Sequence, residues 1–111
     1  MNIMASDLSF VDFVCAQIQE LGNVRYRKMF GDYMVYVNEK AVILVCDNIA
    51  YVKMLPEISQ LMQEAEVGVP YDGAKPHYVL DVEHKDFLLN VVRVLEQVLP
   101  YPKTKHSKKS K

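Results

Sequence analysis

Two thiols, three imidazoles and one acid-rich run are the places in this 111-residue chain where residue type and spacing raise the question of chemistry. A reactive cysteine needs a thiolate, and so a histidine or a positive field beside it. Cys46 instead ends the apolar run Ala41–Cys46, and Cys15 lies among Val14, Ala16 and Ile18, so both read as buried, inert thiols. The run Asp81-Val82-Glu83-His84-Lys85-Asp86 collects acids and an imidazole. A structural zinc site uses four well-spaced ligands, usually with cysteine among them, and that spacing is missing here. Glu83, His84 and Asp86 therefore read as the polar start of a helix, and His77 before Tyr78 as a strand-edge residue. Four glycines make no phosphate-cradling loop. The reading predicts no catalytic residue, no metal and no cofactor, hence a protein that is not an enzyme, with a small-molecule or enzymatic role in the loop around Gly73 to Tyr78 as the distant alternative.

Cations interleaved with tyrosines are the stronger pattern. Alternation puts Arg25 and Arg27 on one side of a strand and Val24 and Tyr26 on the other. Lys28, Lys53 and Lys75, with Tyr26, Tyr33, Tyr51, Tyr71 and Tyr78 nearby, suggest a surface suited to an acidic peptide, a phosphate or a base. The expected ligand- or partner-binding patch is Arg27, Lys28, Tyr51, Lys53 and Lys75. The competing reading is a solvated outer face whose arginines and tyrosines make ordinary cross-strand pairs.

Charge narrows the partner. Five of the 13 Lys and Arg residues fall between Lys103 and Lys111, where there is no acid. That leaves 8 basic against 14 acidic residues in 1–102, a body of net −6 with a +5 tail. An acidic body argues against a DNA-coating domain, which should itself be basic. The alternative is a weak nucleic-acid contact through Arg25, Arg27, Lys103, Lys105, Lys108 and Lys109. The tail otherwise reads as a disordered, solubilising end, and Pro100 and Pro102 mark where the fold stops.

The elements that must position these residues follow from periodicity. Ser6 or Asp7 can cap a helix with apolar positions at Leu8, Val11, Val14, Ile18 and Leu21, ended by Gly22. Val24–Phe30 and Asp32–Val37 read as strands, with Gly31 a bulge or tight bend between them. Asn38-Glu39-Lys40 is a polar turn, Ala41–Cys46 a central strand, and Asp47-Asn48 a two-residue hairpin loop leading to the strand Ile49–Met54. Pro56 then opens a second helix with a stripe at Ile58, Leu61, Met62 and Ala65, closed by Gly68 and Pro70. After a loop over Tyr71–Pro76, His77–Val82 is a fifth strand and Asp86–Leu99 the last helix. The order α-β-β-β-β-α-β-α predicts a two-layer α+β domain, a five-stranded, mainly antiparallel sheet with helices on one face, over residues 1–102.

Strands apolar on both sides call for a cover on the second face, so self-association as a homodimer is expected. No apolar run reaches the roughly 20 residues of a membrane span. Met1–Asp7 lacks a basic n-region followed by an apolar stretch, and the two cysteines form no disulfide framework. Together these predict a cytoplasmic protein without a membrane contact.

Four blocks carry a family resemblance. Tyr26-Arg27-Lys28-Met29-Phe30-Gly31-Asp32-Tyr33 resembles the R-x-MFG-x-Y signature of the TfoX N-terminal domain, or Sxy-like, family. Asn38–Ala41 with Leu44–Asp47 is similar to that family's turn and central strand, and Tyr51-Val52-Lys53 to its aromatic-led strand ending in lysine. Gly73-Ala74-Lys75-Pro76-His77-Tyr78 resembles the GAKP-x-Y element of its stand-alone members. Asp32 departs from the pattern, since many members carry glycine or glutamate there. Full-length members resemble regulators of natural competence that act on transcription with other factors and carry a second, helical domain. The resemblance implies the stand-alone N-terminal version: a regulatory, protein-binding module with no established catalytic residues.

Overall fold

The computed structural model of the protein describes residues 7–101. Its elements are α1 (Leu8–Ile18), β1 (Val24–Met29), β2 (Asp32–Val37), β3 (Lys40–Cys46), β4 (Ile49–Lys53), β5 (Val67–Gly68), β6 (His77–Val79) and α2 (Lys85–Val98). Short 3-10 turns follow α1 at Gln19–Leu21 and β4 at Pro56–Ile58. The result is an α+β fold in which every neighbouring strand pair is antiparallel.

The first four strands form a meander because each connection is two residues long and left-handed. Phe30-Gly31, Asn38-Glu39 and Asp47-Asn48 all have positive φ at both positions, the pattern of a type I′ turn, whose twist matches that of the strands. Asn and Asp accept that conformation readily; Phe30, at φ 51°, does not. β6 then pairs with β4, and β5 pairs with β6, giving the order β1-β2-β3-β4-β6-β5.

The sheet has six strands where the sequence predicts five. β5 is only two residues long, and its Gly68 and the following Pro70 look like breakers in sequence. The predicted middle helix is also replaced, by a 3-10 turn and further turns through Glu64. Ile58 and Ser59 donate to carbonyls three residues back, and the Ser59 hydroxyl adds a bond to Pro56 O at 3.0 Å, so the tighter winding wins from the start. Ile58 and Met62 still reach the core; Leu61 stays exposed.

One face of the sheet carries the core. Tyr33, Val35 and Val37 of β2, Ile43 and Val45 of β3, and Ala50 and Val52 of β4 pack with Val11, Val14 and Ile18 of α1 and Leu88, Val91, Val92 and Leu95 of α2. A bulge in β3, where Val35 pairs Ile43 but Tyr36 pairs Ala41, turns Lys40 toward this helical side. There its Nζ donates to Glu96 O at 2.8 Å, in the last turn of α2, where a cation is favoured. Among the described residues no helix is long and apolar enough to cross a membrane.

Candidate functional site

Residues one position out of step with the core line the opposite, helix-free face of the sheet. Tyr36, Cys46 and Tyr51 are buried there, at 8, 2 and 7 % exposure, but stand apart from the main core. Tyr36 and Tyr51 each have a local cover. The Arg25 guanidinium lies 4.3 Å from the Tyr36 ring centre, held by Nε and Nη2 donating to the two Glu39 oxygens at 3.0 and 2.7 Å. The Tyr51 ring lies against Gly68, where an added Cβ would stand 3.3 Å from its Cε1, and meets the His77 ring edge-on at 6.3 Å. Burial and the neighbouring Cys46 and Asp47 groups push the Tyr51 hydroxyl pKa upward. Self-association thus has less apolar area to use on this face than the strand pattern predicts.

The turn after β5 builds the wall of the site. Ala74 N–H donates to Tyr71 O at 3.0 Å, and Gly73 takes φ 87°, a value that favours glycine. This turn brings Tyr71, Ala74 and Lys75 over the sheet, where with Met34, Leu44, Tyr51, Lys53 and His77 they enclose a hollow of about 300 Å³. Lys75 O accepts from His77 Nδ1 at 2.8 Å, which fixes the tautomer of the neutral ring and leaves Nε2 as its acceptor. Two further hollows adjoin the first. One, of about 430 Å³, shares Leu44 and Tyr71 and reaches Met29, Phe30 and Asp32. The other, of about 560 Å³, shares Lys53, Lys75 and His77.

Of the five predicted patch residues, Tyr51, Lys53 and Lys75 meet at this trough. Arg27 is on the same face but on the edge strand β1, three interstrand spacings or about 14 Å from β4. Lys28 is a correction: it pairs with core-facing Tyr33, so the pleat turns it away from Arg27 and onto the helical side. Arg25, proposed for nucleic acid, is engaged by Glu39 and Tyr36, and Lys103, Lys105, Lys108 and Lys109 lie outside the described residues. Met34 and Leu44 are missing from the sequence-predicted patch, Tyr71 enters it only as one of the nearby tyrosines, and His77 reads there as an edge residue. The alternation of Met34 and Leu44 with core-facing Val35 and Val45 was the available signal.

The groups considered for catalysis are placed differently. Burial, then the Asp32 carboxylate accepting from the thiol, pushes Cys46 up to about 12. Burial, then Asp12, pushes Cys15 up to about 11. His84 donates from Nδ1 to Asp81 Oδ2, and Asp81 Oδ1 also accepts from Glu83 N–H, which shapes the entry to α2. The pairing raises the His84 pKa and lowers that of Asp81. Among the described residues, no three His, Cys, Asp or Glu side chains gather to hold a metal ion.

Comparison with known proteins agrees with this arrangement of motifs. The chain is 37% identical over 107 residues to an uncharacterized 12.7 kDa protein in trpE 5′region of Spirochaeta aurantia, covering 95% of this chain and 93% of that protein. The TfoX N-terminal domain pattern matches residues 16–98, which span the end of α1, all six strands and the whole of α2. On that coverage, the chain belongs to the TfoX N-terminal domain family.

Proposed function

We propose that this domain is a non-enzymatic regulatory module of the TfoX type that works in the cytoplasm by docking a protein segment on the helix-free face of its sheet. The observation that carries the reading is the trough where Tyr51, Lys53, Tyr71, Lys75 and His77 converge over an apolar floor. Such a surface combines apolar area with a few placed polar groups, the composition of a recognition site. The chemistry of the remaining groups fits a binding role. Cys46 and Cys15 are held as thiols rather than thiolates, so neither is an activated nucleophile. The His84 imidazole is bound to Asp81, but no described hydroxyl or thiol is hydrogen-bonded to it. A nucleic-acid role draws less support, because Arg25 is neutralised by Glu39 and the body of the chain is acidic.

Site-specific photo-crosslinking tests the reading. A benzoylphenylalanine at Tyr71, which keeps an aromatic ring on the wall of the trough, is expected to trap a protein in living cells, and Lys53→Glu with Lys75→Glu is expected to abolish the adduct. The same probe at Phe13, on the exposed side of α1, is the reference. Adducts that form at Phe13 instead, or that survive the charge reversal, would overturn the docking role of this face.

A further inference from the structure

We infer that the docked segment is an acidic, extended peptide of at least four or five residues, whose apolar side chain seats between Leu44, Tyr51 and Tyr71 and whose carboxylates pair with Lys53 and Lys75. The inference rests on the docking reading above and adds the chemistry of the partner.

Shape sets the length. The 300 Å³ hollow lies in the middle, sharing Leu44 and Tyr71 with the 430 Å³ hollow and Lys53, Lys75 and His77 with the 560 Å³ one, so the three form one trough. It passes from β2 over β3 and β4 to β6, three spacings or about 14 Å, which takes four to five extended residues at about 3.3 Å each. A folded partner surface would need a ridge to enter such a channel, whereas a single extended strand fits it directly.

Charge sets the composition. Residues 1–102 hold eight basic groups, and four of them, Arg25, Arg27, Lys53 and Lys75, are on the trough side of the sheet. Arg25 is satisfied by Glu39, while Lys53 and Lys75 have no ion-pair partner among the described residues. Asp32 accepts from the Cys46 thiol and sets a carboxylate at the far end of the trough from Lys53 and Lys75, so the trough is polarised along its length. The cationic end is thus local, on a body whose 14 acids repel anions elsewhere. An acidic segment is steered to the one place that accepts it and is oriented there, with its carboxylates toward β6. A second copy docking face to face would set Lys53 and Lys75 of both chains at one cationic interface, which disfavours that occupant.

Selection from a random heptapeptide phage library on the full-length protein tests this, followed by fluorescence anisotropy of the selected peptides. The expected peptides carry two or more Asp or Glu beside one Phe, Leu or Tyr. Their affinity is expected to fall at least tenfold in the Lys53→Glu/Lys75→Glu variant and in Tyr71→Ala. It should stay within twofold in Arg93→Glu, a charge reversal on the exposed side of α2. Thermal melts of each variant separate loss of binding from loss of fold. Peptides without acidic excess, affinity unchanged by the Lys53/Lys75 reversal, or displacement of the peptide by random duplex DNA at physiological salt would each overturn the inference. So would failure to select any peptide. If the Tyr71 crosslink persists in that case, docking on this face stands and only the acidic, extended character of its partner falls.

Discussion

Phe30 carries two costs at once, and its replacement by asparagine is expected to stabilise the domain. The side chain is fully exposed, so it contributes no burial, yet its backbone sits at φ 51° as the first residue of a two-residue turn. A residue with a Cβ pays roughly 1–2 kcal/mol for that left-handed conformation, and asparagine is among the residues that tolerate it best. Phe30→Asn should therefore raise stability by about 1 kcal/mol, or roughly 4 °C in melting temperature for a domain of this size. Phe30→Ala is the control: it removes the same exposed ring but keeps the strain, so it should change stability by less than about 0.5 kcal/mol. Urea unfolding, with the slope checked for constancy, measures both. If Phe30→Asn is no more stable than Phe30→Ala, or if Phe30→Ala loses more than about 1 kcal/mol, the ring makes contacts in solution and the argument is wrong. A substitution that stabilises the fold while weakening peptide docking would mark Phe30 as strain retained for function, because the turn stands at one end of the trough.

Four other outcomes are expected. Lys40→Ala removes the bond to Glu96 O and the nearby Glu96 carboxylate contact, and should cost about 1.5–3 kcal/mol in urea unfolding, since the partner carbonyl loses a charged donor. Gly22→Ala puts a Cβ 2.5 Å from the Asn38 amide, which is held by Asn23 N–H and Glu96; with φ 148° at Gly22, the loss should be about 2–4 kcal/mol, and Asn38→Gly in the same chain should recover part of it. The His84 part of the Asp81–His84 pair is complete below its ordinary 6.5 and is lost as pH rises through its raised folded value; the Asp81 part is complete above 3.8 and is lost as pH falls through its lowered one. In an NMR titration, Asp81→Asn should then bring the His84 midpoint down toward 6.5, and an unmoved midpoint would refute the pairing. Finally, a Cys46 thiol near 12 should react with Ellman's reagent at pH 8 at least about 100-fold more slowly in the native protein than in urea; equal rates would show the thiol is not buried as described.

What the sequence disclosed depended on how local the cause was. The Asp47-Asn48 turn was legible because both residues accept positive φ, and Asn38-Glu39-Lys40 read as a polar turn, of which Lys40 belongs to β3. Phe30-Gly31 read only as a bend at Gly31, since phenylalanine is not a turn former; the hairpin forms because strand pairing between Met29 and Asp32 overrides that preference. The stripe at Ile58, Leu61, Met62 and Ala65 has helical spacing, yet 3-10 winding with a Ser59 hydroxyl bond brings Ile58, Met62 and Ala65 to the core and leaves Leu61 exposed. β5 was invisible because two residues hold no period, and its pairing partner lies across a turn. At the site, Tyr51 and Lys53 share a face because they are two residues apart on β4, whereas grouping Arg27 with Lys28 ignored that neighbouring strand residues point apart.

The resemblance blocks gain a physical meaning from their placement. The turn at Phe30-Gly31, the Tyr51–Lys53 stretch of β4 and the Gly73–His77 turn are far apart in sequence, yet all three border the same trough. The fourth block supplies its floor through Leu44 and the hairpins that fix the register of β3. If these motifs served stability alone, they would be expected on the helical side, where Val35, Ile43, Leu88 and Leu95 form the dry core. Instead they hold a strained exposed aromatic, two lysines without an ion-pair partner among the described residues, and a glycine-dependent turn on the opposite face. Lys53 and Lys75 contribute little to the fold from such exposed positions, so their charge reversal separates the two roles cleanly. Unchanged melting with lost docking assigns this face to binding; a large loss of stability would return the motifs to the fold.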